Sequence, residues 1–233
     1  MTDLHTHILP GIDDGAKTPE ISLAMLKRQV EQGIDTVVLT PHCYRDKEDP
    51  AHFLQRRAQA YQRLRDALEE QQAPAPRLLL AAEVAWVPNM AKWPELPQLC
   101  IEGTQNLLLE MPFTPWQDST IDQIYDLMDN RGITPIFAHL ERYLKDQRRD
   151  HIEEIIGMGT PIQLSCAPLL SFWDRRPLVK MIKNGCGHLL ASDCHNLTTR
   201  QPNLKAGLDA VSRLLGQDVA EHLSDTADRL VMA

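Results

Sequence analysis

The residues of this 233-residue chain best suited to chemistry are histidines and carboxylates at short, repeated spacings. Asp3-Leu4-His5-Thr6-His7 opens the sequence and Asp13-Asp14-Gly15 follows. Later apolar runs stop at Thr40-Pro41-His42, Glu83, Glu110, His139 and Asp193-Cys194-His195. In a strand, side chains two apart point the same way, so His5 and His7 present two imidazoles together, and Asp193 with His195 repeats the spacing. One such pair is a weak signal, because two satisfied polar residues explain it equally well. Convergence makes it informative. A glutamate closing Leu78-Leu79-Leu80-Ala81-Ala82, or Leu107-Leu108-Leu109, carries a large desolvation cost unless it is paired or bound to a cation. Imidazole and carboxylate donors without thiolate suit manganese, iron or zinc, and metal-assisted hydrolysis is the chemistry they suggest.

Seven short apolar runs are expected to deliver these residues as buried strands: Thr2–His7, Asp35–Thr40, Arg77–Glu83, Gln105–Glu110, Ile133–Ala138, Pro161–Ser165 and His188–Ser192. Most lack polar alternation, as fully covered parallel strands do. Helices are expected between them. Thr18 can cap the first, Pro19 and Glu20 suit its opening turn, and Gly33 can end it. Asp49-Pro50 opens a second that runs to about Gln72, before Ala73-Pro74-Ala75-Pro76 breaks the pattern. Further helices are expected at Ser119–Arg131, Asp150–Met158, Pro168–Lys183 and Asn203–Leu215, with a terminal helix and tail over Glu221–Ala233. The alternation predicts an α/β fold with a parallel sheet, near the repeat count and length of a β/α barrel. No linker divides the chain, so residues 1–233 are read as one domain. Active sites of such barrels lie at the C-terminal strand ends, where the histidines and carboxylates fall.

The hydrophobic fraction of 43% and charged fraction of 24% are those of an ordinary globular protein. A net charge of −8 argues against a nucleic-acid surface, which needs Lys and Arg to neutralise phosphates. The N-terminus lacks the basic and apolar regions of a secretory signal, and no apolar stretch approaches a membrane span, so a cytoplasmic location is the expectation. Five scattered cysteines without a CxxC pair suit reduced thiols.

The segments DLHTHILPGIDDGAK, TPHCY, AAE, LLLEMP, HLERY and SDCHN, in that order along nearly the whole chain, resemble the PHP-superfamily metallophosphoesterases. They are most similar to the bacterial CpsB/YwqE-type protein-tyrosine phosphatases. The resemblance implies a distorted seven-stranded, TIM-like (β/α)7 barrel, the PHP fold, holding three divalent metal ions, with manganese favoured over iron or zinc. It implies nine ligands: His5, His7, Asp14, His42, Glu83, Glu110, His139, Asp193 and His195. By analogy, one metal takes His5, His7, Glu83 and Asp193; a second shares Glu83 and adds Glu110 and His139; a third uses Asp14, His42 and His195. Four ligand carboxylates against three divalent ions leave the filled site positive, an anion receptor in an acidic chain. A metal-bridging hydroxide would attack phosphorus in line, without a phosphoenzyme. Arg142 and Arg200, a few residues past ligand-bearing strand ends, match arginines of the family and are suited to hold phosphoryl oxygens. The implied activity is phosphotyrosine hydrolysis on a bacterial tyrosine kinase in capsule or exopolysaccharide regulation. The alternative is a PHP phosphoesterase acting on a small metabolite such as histidinol phosphate.

Competing signals are weaker. Cys194 to Arg200 satisfies CX5R, the minimal signature of thiol phosphatases, but five cysteines and sixteen arginines produce such a pairing readily by chance. The loop also lacks the glycines that would let amides wrap a phosphate, so Cys194 is read as a small buried neighbour. His52, His151 and His222 are expected on solvated helix faces, and His188 at the start of a strand. Cys43 is a candidate neighbour of the site, Asp13 a turn residue, and Glu141 an ion-pair partner of an arginine. Tyr44, Trp86, Phe113, Trp116 and Tyr143 are candidates to flank a phenyl ring, with packing an equal explanation for each.

Overall fold

Apolar runs covered by helices form parallel strands throughout, in the α/β order expected. The computed structural model describes residues 1–232, so the final residue of the expected tail lies outside the described residues. The strands are β1 (Thr2–Thr6), β2 (Thr36–Leu39), β3 (His42–Cys43), β4 (Arg77–Leu80), β5 (Glu83–Ala85), β6 (Asn106–Glu110), β7 (Thr134–Phe137), β8 (Gln163–Ser165) and β9 (Leu189–Ala191). The helices are α1 (Pro19–Glu31), α2 (Pro50–Glu70), α3 (Leu96–Leu99), α4 (Asp118–Arg131), α5 (Arg149–Gly157), α6 (Cys166–Leu170), α7 (Arg175–Lys183), α8 (Leu204–Leu215) and α9 (Gln217–Leu230). No helix is long and apolar enough to cross a membrane among the described residues.

Three parallel groups of strands result, ordered β1-β2-β4, β3-β5-β6-β7 and β8-β9. The expected Arg77–Glu83 strand is divided into β4 and β5, and β3 lies beyond the expected Asp35–Thr40 strand, which appears as β2 alone. Pro41 has no amide hydrogen to give to a ladder, and pairing stops between β2 and β3. The chain direction nonetheless carries on, because Ala81 N donates to Leu39 O at 3.0 Å and Glu83 N to Pro41 O at 3.1 Å. Single bridges pair Phe137 with Ile162 and Thr6 with Cys194.

Helix starts follow the expected caps. The Thr18 side chain accepts from Ile21 N ahead of Pro19, and the Asp49 side chain accepts from Ala51 N ahead of Pro50. The expected Pro168–Lys183 helix is instead two helices, α6 and α7. Between them, Ser171 Oγ binds the Asp174 carboxylate at 2.7 Å, a local side-chain contact that competes with helix continuation. The short α3 was not anticipated. The five cysteines are free thiols.

The strands bury two faces. Leu107, Leu109 and Phe137 pack with helix residues such as Ile121 and Ile124 in the larger cluster. Leu4, Val38, Leu79, Ala81, Leu108, Ile136, Leu189 and Ala191 form a smaller one with Ala227 and Val231, from α9 and the residue after it.

Candidate metal centre

The donors arise by stepping two residues at a time off the smaller apolar cluster. Leu108 and Glu110 share a face of β6, while Glu83 opens β5 two residues past Ala81 and Asp193 follows β9 two residues past Ala191. β1 is the exception: its register with β2 shifts between Asp3 and Thr6, a bulge-like irregularity at the residues that carry His5. Gly15 then lets the Asp13-Asp14 turn lie against β1, since a Cβ there would fall 2.1 Å from His7 O. His139 and Asp193 hold left-handed backbone, φ 35 and 51, which side chains other than glycine adopt at a cost and which clusters at functional sites.

The nine expected ligands come together. His5 Nε2 and His7 Nε2 lie 3.1 Å apart. Glu83 Oε2 is 3.3 Å from each of them and 2.8 Å from His42 Nδ1. Asp193 Oδ1 is 3.5 Å from each of His5 Nε2, His7 Nε2 and His195 Nδ1. His139 Nε2 meets Glu83 Oε1 at 2.9 Å and Glu110 Oε1 at 3.8 Å. Asp14 Oδ1 is 3.4 Å from His42 Nε2 and 3.3 Å from His195 Nε2. Three groups are tight enough to hold an ion: His7, Asp14, His42 and His195; His5, His7 and Asp193; and His42, Glu83 and Glu110. Relative to the partition implied by resemblance, His7 and His42 each border two groups, and His139 joins none of the three.

Unmade hydrogen bonds argue that these donors fit cations. Glu83 Oε2 has three imidazole nitrogens within 3.3 Å yet no aligned hydrogen bond, and His195 Nε2 and His139 Nδ1 are buried without a partner. Burial opposes charge on His7, but its hydrogen bond to Asp13 and the Glu83 carboxylate outweigh it and raise the imidazole to about 10. His5 is raised as well, burial being outweighed by Glu83 and Asp193. Two protonated rings cannot turn Nε2–H groups at each other across 3.1 Å, whereas two neutral rings can aim lone pairs at one cation. Burial resists the Glu83 charge, but His5, His139 and His42 hold its carboxyl well below the usual range. Burial and Glu83 together raise Glu110. Burial lowers His139 to about 4, and burial with His7 lowers His195 to about 3, so both are neutral and able to ligate.

Residues that reading the sequence missed, or placed elsewhere, orient the donors. Asp13, expected only in its turn, accepts from Gly15 N but also meets His7 Nδ1 at 2.8 Å, which frees Nε2 for the site. Gln163 Oε1 does the same for His5 Nδ1 at 3.1 Å and accepts from His139 N at 2.9 Å. Buried Asp3 accepts from Ser192 N, Ser192 Oγ and Gln29 Nε2, tying β1 to the end of β9 and to α1. A polar residue inside an otherwise apolar strand was the available signal for Gln163.

Arg142 and Arg200 both donate to Asp193 Oδ2, Arg200 at 2.6 Å. With Ser165, Ser192, Ala167 and Pro168 they line a recess of about 260 Å³. Cys194 is fully buried, and burial with nearby Asp3 pushes its thiol well up, leaving no thiolate for a CX5R nucleophile.

Other expectations change. Glu141 makes no ion pair with an arginine within 4.0 Å among the described residues; it is buried, Oε1 accepts from Ser165 N at 3.3 Å, and burial raises its carboxyl. His151 is buried and bonds Asp118 at 2.8 Å, whereas His52 and His222 are exposed and His188 precedes β9. Cys43 belongs to the larger apolar cluster. Tyr44 stacks on His42, ring centroids 4.9 Å apart, and exposed Phe113 faces His139 at 6.5 Å. Trp116 and Tyr143 are buried packing residues and Trp86 is partly buried.

The chain is 28% identical to the tyrosine-protein phosphatase CpsB of Streptococcus agalactiae, with 96% of this chain and 94% of that protein covered. It is 26% identical to the tyrosine-protein phosphatase YwqE of Bacillus subtilis, over 99% and 91%. Its fold superposes with a TM-score of 0.86, at 24% identity and covering 99% and 94%, on a crystal structure from a study of B. subtilis YwqE and Streptococcus pneumoniae CpsB, described there as metal-dependent tyrosine phosphatases. The capsular polysaccharide synthesis family CpsB/CapC matches residues 1–232, and the chain belongs to that family.

Proposed function

We propose that this chain is a metal-dependent protein-tyrosine phosphatase. His5, His7, Asp14, His42, Glu83, Glu110, His139, Asp193 and His195 hold three divalent ions, manganese in this reading, and Arg142 and Arg200 bind the phosphoryl group. The observation that carries the reading is the convergence of three imidazole nitrogens on Glu83 Oε2 without an aligned hydrogen bond. The names of the relatives point the same way. The ions supply Lewis acidity and make water acidic enough to lose a proton near neutral pH.

The chain's own groups do the rest. Asp193 faces the imidazoles with one oxygen and both guanidinium groups with the other, so the arginines are fixed beside the donors. Each guanidinium keeps further N–H donors for phosphoryl oxygens as their charge grows. Asp13 and Gln163 hold His7 and His5 with Nε2 turned inward. Phe113 beside His139 and Tyr44 on His42 are aromatic groups next to the donors that could flank a substrate ring. Phenolate, whose conjugate acid has a pKa of about 10, departs without a strong general acid.

The reading includes a single domain with a seven-stranded barrel. Counting β2 with β3 and β4 with β5 leaves seven strands, and the Phe137–Ile162 and Thr6–Cys194 bridges support closure. It places the protein in the cytoplasm, acting on a bacterial tyrosine kinase of capsule synthesis. The test is kcat/KM of metal-loaded protein on a phosphotyrosine peptide, a phosphoserine peptide and histidinol phosphate. A preference for phosphotyrosine of about tenfold or more is expected, and equal rates overturn the tyrosine assignment.

A further inference from the structure

Phe172 and Trp173 are 68% and 86% exposed, in a chain with only four of each residue type. Contiguous exposed apolar side chains mark interaction sites. The pair is also held in place. Its rings meet edge to face at 5.3 Å, and the Arg175 guanidinium lies 4.7 Å from the Phe172 ring centre. The Ser171 hydroxyl and the Asp174 side chain and amide close the turn beneath it.

Its position ties it to the recess between the arginines. Ala167 and Pro168 of α6 wall the cavity into which Arg142 and Arg200 project, and Ser171 N donates back to Pro168 O at 3.2 Å, so the aromatic turn rises directly from that wall. The one other strongly exposed Phe or Trp among the described residues, Phe113 at 57%, follows β6 on the same end of the strands and faces His139. The charge beside the pair is equally specific. α7 begins at Arg175, at the end where the helix dipole disfavours cations, and Arg175 lies against Phe172 with no carboxylate partner within 4.0 Å among the described residues. The Phe172 ring holds the Arg175 guanidinium in place but leaves its charge without a carboxylate, which an anionic partner would supply.

We propose that the Phe172–Trp173 turn, edged by Arg175, is a docking site for the acidic polypeptide segment flanking a phosphotyrosine, distinguishing protein substrates from free aryl phosphates. This rests on the phosphatase reading above. Aromatic faces supply contact area to the peptide while the Arg175 guanidinium selects its charge.

The test compares metal-loaded full-length protein with a Phe172→Ala/Trp173→Ala variant on p-nitrophenyl phosphate and on a phosphotyrosine peptide flanked by Asp and Glu. The expected result is a fall of about fivefold to tenfold in kcat/KM for the peptide, through KM, with p-nitrophenyl phosphate unchanged. Equal losses on both substrates, or none on either, overturn the proposal. So does a variant that leaves peptide kinetics intact but loses a dimer in size-exclusion chromatography, or loses binding to phosphatidylglycerol vesicles. These would assign the turn to a second copy or to a lipid surface. Wild-type protein that cleaves p-nitrophenyl phosphate but not the peptide sinks the tyrosine reading itself, an outcome separable from the variant's behaviour.

Discussion

Along the same strands, one stretch is closed by hydrocarbon and the next by groups that repel or strand one another. Leu4, Val38, Leu108, Ile136 and Leu189 pack with Ala227 and Val231 in a cluster that contains no charge. Beyond that stretch, Glu83, Glu110 and Asp193 meet five histidines, and Glu83 Oε2, His139 Nδ1 and His195 Nε2 are buried without a hydrogen-bond partner. The first region stabilises the fold as any core does. The second costs stability by itself, through buried carboxylates and the left-handed backbone of His139 and Asp193, and persists because the first over-determines the strands. Under the proposed function, bound cations would reverse the sign of the second region's contribution.

The largest expected effect comes from breaking the polar end. Glu83→Gln should lower phosphatase kcat/KM on the order of 10³-fold and reduce metal per chain by elemental analysis, with circular dichroism unchanged. Turnover within tenfold of wild type would remove Glu83 from the centre. Leu108→Ala, two residues before Glu110, should do the opposite: roughly 2–5 kcal/mol lost in urea unfolding, with kcat and metal content kept. A matched fall in metal content would show that the two regions are not separable.

A smaller effect sharpens the contrast. His7 is held at about 10 by Asp13 and Glu83 against burial, so at pH 7 it carries a proton that ligation must displace. Raising the pH removes that proton and favours the bound state. Metal affinity should therefore rise about tenfold per pH unit per released proton between pH 7 and 9. The sign is opposite for metal-free stability: the raised His7 value adds stability fully present below the unfolded value near 6.5 and lost as pH climbs through about 10. Calorimetry in buffers of different ionisation enthalpy counts the protons, and release of none contradicts the assignment.

Much of this contrast was legible before any coordinates. Glu83, Glu110 and Asp193 follow apolar runs at even spacing from buried apolar residues, and in β6 the face that buries Leu108 also delivers Glu110. Helix starts at Thr18-Pro19 and Asp49-Pro50 were equally plain. Less legible were features set by partners distant in sequence. The register shift in β1 depends on β2, so alternation from Leu4 could not assign a face to His5. Asp13 and Gln163 orient imidazoles on other elements, and buried His151 is bonded by Asp118 of α4. The break after α6, which exposes Phe172 and Trp173, turned on a Ser171–Asp174 contact that helical periodicity does not register.

The most direct test of the central claim is to strip the protein with chelator and follow phosphotyrosine-peptide hydrolysis while Mn2+ is returned, in wild type and in Cys194→Ser. The account predicts no turnover without metal, recovery that saturates with the ions bound, and near-wild-type recovery in Cys194→Ser. Turnover that survives chelation in wild type and vanishes in metal-loaded Cys194→Ser would contradict it.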